Sequence, residues 1–299
     1  MNLLDSQLNA GGDKVGYVSD LAAACNAPFV LNVEDIIRET GERGETENSS
    51  ELHVSRTPID IVCSEQRTVF VVDVDAEMRS NYDSCSRLDM VKRCIKAHVQ
   101  AVLSSPSVNV DLFAICILHS DGQAAWYLNY TCDLRRIFDA VERIELDNVG
   151  ACPCDLSAVI EKLQSNAPGG FEKEDFLYHI VLVHSRSGLC PVFSKTKQSH
   201  MEFLSHRQVV FDIVFLHNRV TSEEKFGLLR EIHAKLCEVI DVGSNVDGQT
   251  GEGKWPSYVF SGFENEEQMC VNFLMLAAHP ALRENQTADP LQFHKKIFI

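Results

Sequence analysis

Three carboxylates at alternate positions, Asp73, Asp75 and Glu77, follow directly on four apolar residues, Val69 to Val72, in the segment RTVFVVDVDAEM. Hard oxygens so closely spaced are what a divalent cation such as magnesium requires. A second candidate chemistry is zinc at Cys152-Pro-Cys154, but structural zinc sites pair two close ligand couples, and no second couple stands at ligand spacing. A third is a cysteine hydrolase using Cys190 with His184, for which no third, orienting residue is evident. There is no Gly-x-Ser-x-Gly elbow. The glycine-rich stretch Gly248 to Gly253 lacks the Lys-Ser/Thr ending of a phosphate-binding loop and follows no apolar strand. A His-x-His metal motif is also missing. No catalytic residue is therefore expected, and no cofactor.

The elements that must position these groups read clearly from periodicity. An unbroken apolar run closed by an acid predicts a central strand at Val69 to Val74, buried on both faces of a parallel sheet. Ligand sites in open α/β sheets lie outside the carboxyl ends of such strands, which is where Asp73 falls. Leu88 to Leu103 follows as a helix, with Leu88, Val91, Ile95, Val99 and Val102 at three- and four-residue spacing. Asp111 to Leu118 is a strand, and Asp121-Gly122 turns it into Gln123 to Tyr130, a hairpin partner.

Asp133 to Ile144 and Asp155 to Gln164 read as helices, the second capped by Asp155. Phe176 to Val183 and Val209 to Leu216 are doubly buried strands, with a helix expected over Lys195 to Ser205 between them. Ser222 to Ile240 is a longer helix with acids in its first turn. A loop from Val242 to Lys254 leads to a short strand near Tyr258 and Phe260, and Glu264 to Ala278 closes as a helix halted near Pro280. One hairpin and then alternating helices and strands predict an α/β fold: a doubly wound, mostly parallel six-stranded sheet with one antiparallel edge strand.

Asp73 and its strand resemble the first strand of a von Willebrand factor A domain, whose metal site begins Asp-x-Ser-x-Ser. Asp75 and Glu77 stand at the serine positions. Such domains draw metal oxygens from three loops. The second should supply a threonine, where this chain reads Ala151-Cys-Pro-Cys-Asp155. The third should supply an aspartate, where it reads His184-Ser185-Arg186 and places a cation beside the metal position. The site at Asp73, Asp75 and Glu77 is thus degenerate and predicted to bind no metal. Asp73 is expected instead to accept backbone N–H groups and hold the sheet apex. The alternative function is a metal-dependent ligand-binding A domain using those three acids.

Three further segments, Ile61 to Glu65, Val214 to Asn218 and Leu276 to Pro280, are in their order similar to one family. It is the von Willebrand A-like adaptor of the BRISC and BRCA-A deubiquitinase complexes, and the similarity spans residues 58 to 283. The resemblance implies a non-catalytic scaffold that maintains an assembly cleaving lysine-sixty-three-linked ubiquitin chains. It implies three partners: a JAMM-type metalloprotease, its inactive pseudo-enzyme scaffold, and a subunit with ubiquitin-conjugating-enzyme-variant domains. It also implies roles in DNA double-strand-break repair, receptor signalling and mitosis.

His279-Pro280-Ala281-Leu282-Arg283 leaves the last helix with proline stiffening the backbone and an arginine able to pair with carboxylate, a form suited to docking in a groove. The chain ends Lys295-Lys-Ile-Phe-Ile299, an apolar tip that favours burial. Pro280, Arg283, Phe293 and Phe298 are the expected partner-binding residues.

Composition sets the outer limits. With 299 residues, 45% hydrophobic content and a formal net charge of −16, the chain suits a packed globule and offers no basic patch for nucleic acid or anionic membrane. No apolar run reaches the ~18 residues of a membrane span. Residues 1–57 carry ten acids against four basic residues. Their stretch Glu39 to Glu51 holds almost nothing to bury, so a disordered acidic tail is expected, with a transient helix near Asn32 to Arg38. The organisation expected is a tail over 1–57, an A-like domain over 58–279 and a docking extension over 280–299. The MNLLDSQLNAGGDK start lacks a secretion signal. Eleven cysteines sit mostly in apolar periodic segments, which fits reduced thiols and a cytoplasmic and nuclear protein.

Overall fold

Strand β1 (Glu65–Asp73) takes its place from its four apolar residues, Val69 to Val72, all with no exposed surface. Full burial on both faces forces a strand to the middle of a sheet covered on both sides. In the computed structural model β1 pairs in parallel with β4 (Leu112–Leu118) on one flank and β6 (Phe176–His184) on the other. The structure describes residues 65–82, 85–104, 111–147, 152–167, 176–193, 198–218, 220, 222–241, 255–262, 266–280 and 283. The expected acidic tail, residues 58–64, the Val242 to Lys254 loop, Phe293 and Phe298 lie outside them.

The sheet runs β5-β4-β1-β6-β7-β8, with β5 (Ala124–Thr131), β7 (Val209–Leu216) and β8 (Val259–Gly262). Every pairing is parallel except β4 with β5, the antiparallel edge strand. This is the expected six-stranded sheet. The hairpin between β4 and β5 turns at Gly122, whose φ of 85° lies in the region that glycine enters without a steric cost. Its N–H donates to the His119 carbonyl at 2.9 Å, and the Asp121 carboxylate accepts the Gln123 N–H.

Side chains alternate across β1, so Phe70 and Val72 face one helical layer while Val69 and Val71 face the other. The first layer holds α1 (Arg87–Ser104), α2 (Leu134–Glu142) and α6 (Glu266–Ala277). The second holds α3 (Leu156–Ser165), α4 (Gln198–Ser205) and α5 (Glu223–Ile240). Caps fix where the helices begin. Asp133, Asp155 and Ser222 each accept backbone N–H groups from the first turn of α2, α3 and α5. Two small features were not foreseen: a 3-10 turn at Ala76–Arg79, capped by Asp75, and a two-residue ladder between β2 (Asn81–Tyr82) and β3 (Cys85–Ser86).

Candidate functional site

Asp73 ends β1, at the apex where the loops after β4 and β6 converge. Its carboxylate has no exposed surface, and desolvation alone would favour its neutral acid. Instead its pKa falls below the ordinary carboxylate value. Burial pushes it up, but the neighbouring His184 ring and the charge and hydrogen bonds of the Arg186 guanidinium prevail. Arg186 Nη2 donates to Asp73 Oδ1 at 3.1 Å and its Nε to Oδ2 at 3.2 Å. The backbone N–H of Asp75 and of Ser185 complete the shell, each at 3.2 Å. His184 Nδ1 stands 3.5 Å from Oδ2.

The rest of the Arg186 fork is equally occupied. Nη1 donates to the Cys152 carbonyl at 2.7 Å and the Ser120 carbonyl at 3.3 Å, and Nη2 donates to the His119 carbonyl at 2.6 Å. One side chain thus collects the acid at the end of β1, two carbonyls from the β4–β5 turn and one from the connection between α2 and α3. Those are hard oxygens drawn around a single positive charge, which is what a bound cation would do there. The difference is that this cation is covalently part of the chain.

Glu77 is also consumed internally. Its carboxylate accepts the N–H groups of Ser187 and Gly188 at 3.1 and 3.2 Å and the Ser187 hydroxyl. Arg87, at the start of α1, lies 4.0 Å from Glu77 and donates to Asn218 Oδ1 at 2.7 Å, beyond the end of β7. Asp75 Oδ1 caps the 3-10 turn through the Glu77 N–H, while its buried Oδ2 finds no hydrogen-bond partner among the described residues.

The donor set does not fit a metal. Both Asp73 oxygens are committed to a guanidinium and to backbone N–H groups, and a dication placed among them would face the Arg186 charge at contact distance. Among the described residues no three His, Cys, Asp or Glu side chains gather to hold a metal ion. The apex has the shape of a cation site and the chemistry of a closed hydrogen-bond knot.

The other sequence candidates separate. Cys152 donates its thiol hydrogen to the Ser120 carbonyl at 2.8 Å, and Cys154 is buried beneath α3. The Cys190 thiol is pushed up, first by burial and then by Glu231, the reverse of what an attacking thiolate needs. His184 is fully buried and stacks on Phe215 with ring centres 5.6 Å apart.

Pro280 is buried, and Arg283 turns inward. With its side chain only 2% exposed, its Nη1 donates to Asp212 Oδ2 at 2.6 Å, Nη2 to the Leu276 carbonyl at 2.7 Å and Nε to the Ala278 carbonyl at 3.0 Å. The guanidinium also lies 5.4 Å from the centre of the Tyr258 ring. Asp212 sits midway along β7 and accepts the Tyr258 N–H and His179 Nε2, both at 2.7 Å. Gln66 donates to His179 Nδ1 at 3.1 Å, which fixes the imidazole as its Nε2–H tautomer.

This second cluster was missed in the sequence reading. The signal was present: VVFDIVFL carries one aspartate inside an otherwise apolar, doubly buried strand, and a buried carboxylate demands a partner.

No protein-family model matches the chain, and no curated protein matches it. Solved structures similar to it include the SpRpn10 VWA domain, at 14% identity and TM-score 0.48, covering 75% of this chain and 98% of that one. A von Willebrand factor type A protein from Catenulispora acidiphila is similar at 12% identity and TM-score 0.48, covering 74% of this chain and 44% of that one. The conserved protein BatB from Bacteroides thetaiotaomicron is similar at 12% identity and TM-score 0.44, covering 69% and 95%. The first two are named as von Willebrand A domains, and likenesses this distant bear on neither substrate nor partner.

Proposed function

We propose that the chain is a non-catalytic scaffold, a von Willebrand A-like domain that holds together the subunits of a deubiquitinase assembly cleaving lysine-sixty-three-linked chains. The observation that carries the non-catalytic part is the Arg186 guanidinium on Asp73, which spends the apex oxygens on internal bonds and makes the sheet end rigid. The assembly itself rests on the resemblance carried by three sequence segments, ending at Glu65, Asn218 and Pro280, in their order along the chain. Two of these do structural work. Asn218 ties the end of β7 to Arg87, and Pro280 begins the turn that brings Arg283 back to Asp212.

On this reading the partners are the JAMM-type metalloprotease, its pseudo-enzyme scaffold and the ubiquitin-conjugating-enzyme-variant subunit, met in cytoplasm and nucleus. The settings are double-strand-break repair, receptor signalling and mitosis. Docking belongs to the chain beyond Arg283, with Phe293 and Phe298 as apolar anchors. Arg283 fixes where that extension leaves the domain. The magnesium-dependent alternative at Asp73, Asp75 and Glu77 has no comparable support, because Arg186 already neutralises Asp73. Among the described residues no helix is long and apolar enough to cross a membrane.

Affinity purification of the tagged chain with stoichiometric mass spectrometry tests this reading, beside a version ending at Arg283. Ending the chain there keeps the buried Asp212 partner, so lost binding reports the extension rather than damage to the fold. Metalloprotease and ubiquitin-variant subunits should co-purify with the full chain and fall away from the truncation. Recovery of neither subunit with the full chain would overturn the scaffold assignment.

A further inference from the structure

Helices α1 and α6 pack side by side in the first layer, and they bring two cysteines together. Cys94 on α1 has no exposed surface, Cys270 on α6 is partly exposed, and their sulfurs stand 3.4 Å apart. Closing that gap to the about 2.05 Å of a disulfide asks for little more than an ångström of travel between two side chains on neighbouring helices. The two residues are 176 positions apart in sequence, so only the fold makes them a pair.

We infer that Cys94 and Cys270 form a reversible dithiol–disulfide site that staples α6 onto α1, with small disulfides of the glutathione class as oxidant. The partly exposed Cys270 reacts first. Its thiolate attacks one sulfur of glutathione disulfide, a glutathione thiolate leaves, and a mixed disulfide remains on Cys270. The buried Cys94 then gives up its proton and attacks the Cys270 sulfur, expelling the second glutathione. Two protein thiols are oxidised by two electrons, and one glutathione disulfide is reduced to two glutathiones.

The two exposures suit this order of events. The attacking sulfur must be reachable from solvent, and the resolving sulfur needs only to touch it. The link would act on the C-terminal segment, because α6 ends at Ala277, just before the turn that carries Arg283 to Asp212. Nothing in it depends on the scaffold assignment.

The full chain, equilibrated across glutathione redox ratios, tests it. The oxidised protein should lose the mass of two hydrogens, and a non-reducing peptide map should join Cys94 to Cys270. Its melting temperature should rise by roughly 5 °C or more over the reduced form, since the link closes a long loop in the unfolded chain. Cys94→Ser should stop at a glutathione adduct on Cys270, and Cys270→Ser should form no link to Cys94. Circular dichroism of each reduced variant verifies that it is folded. A wild type that accumulates the Cys270 adduct without closing the link would overturn the inference. So would an oxidised form whose peptide map joins other cysteines instead.

Discussion

Asp73 and Asp212 are both aspartates in apolar parallel strands, both wholly buried, and both face an arginine, yet the two pairs are built differently. Arg186 comes from the loop directly after β6, a neighbour of β1, and its partners are the end of β1, the β4–β5 turn and the α2–α3 connection. Arg283 comes from outside the α/β body and reaches over the Tyr258 ring to the middle of β7. The first pair closes the sheet end on itself. The second borrows a charge from the chain terminus to satisfy a carboxylate that the strand could not otherwise bury. A buried ion pair is no free gain in stability, because desolvating both charges costs about as much as their attraction returns. Removing one partner is different, since the other charge is then left stranded. The two pairs should therefore fail in distinguishable ways.

The largest effect is expected at the apex. Arg186→Ala leaves Asp73 charged in a dry pocket and takes donors away from the His119, Ser120 and Cys152 carbonyls together. A loss of about 3 to 5 kcal/mol in urea unfolding is expected. Arg186→Lys should recover little of it, because one ammonium cannot span four acceptors held in a fork geometry. In Asp73→Ala the same variant should cost far less, as the stranded charge is gone. Additive losses in that double-mutant cycle would break the reading of Arg186 as the built-in cation.

Arg283→Ala strands Asp212 in the same sense, but here the structure has a way out. The C-terminal segment can lift and admit water, so the expected loss is smaller, about 2 to 3 kcal/mol. Limited proteolysis sharpens the contrast. Cleavage near Ala278 should accelerate in Arg283→Ala and stay at the wild-type rate in Arg186→Ala.

The same difference explains what could be read from sequence. The six strands followed from runs such as VFVV and FLYHIVLV, because burial on both faces leaves a periodicity that local residues record, and the antiparallel edge followed from the Asp121-Gly122 turn. The degeneracy at Asp73 was legible in part. Arg186 was visible beside the site, but that its fork would also gather three carbonyls depends on loop paths that no spacing encodes. Arg283 read as an exposed docking residue because Pro-x-x-Arg after a helix looks like an exit. What turned it inward is Asp212, seventy-one residues earlier, and a pairing across that distance is a property of the packed fold. The 3-10 turn at Ala76–Arg79 was missed for a simpler reason: Asp75 and Glu77 suggested ligands rather than a cap.

Acid should separate the two regions by pH window. Near Arg283, burial holds the His98 imidazole down to about 3 and the His279 imidazole down to about 4, with the Arg283 charge adding to each. Both are below the ordinary 6.5, so the unfolded chain takes up protons that the folded one refuses. Stability is full above pH 6.5 and declines as pH falls towards 4 and then 3, by about 2 kcal/mol per histidine between pH 7 and pH 5. The Asp73 carboxylate is depressed, so its contribution stands above 3.8 and fails only at lower pH. Hydrogen exchange at pH 5 should loosen α6 and the Tyr258 region before the apex. In Arg283→Ala the decline between pH 7 and 5 should shrink, because one of the charges opposing those protons is gone. Equal loosening of both regions at pH 5 would remove the distinction.

Magnesium gives the smallest effect and the sharpest test of the apex. A cation site with free oxygens would be stabilised by millimolar magnesium through mass action, by about 2.7 kcal/mol at a hundredfold excess over the dissociation constant. Here the position is held by a guanidinium that cannot diffuse away, and Glu77 is engaged by Ser187 and Gly188. The wild-type melting temperature should therefore not move on adding magnesium. The outcome that sinks this reading is a rise in wild type that disappears in Asp73→Ala. Magnesium would then displace Arg186 from Asp73, and the apex would be a ligand-binding site held shut by its own side chain.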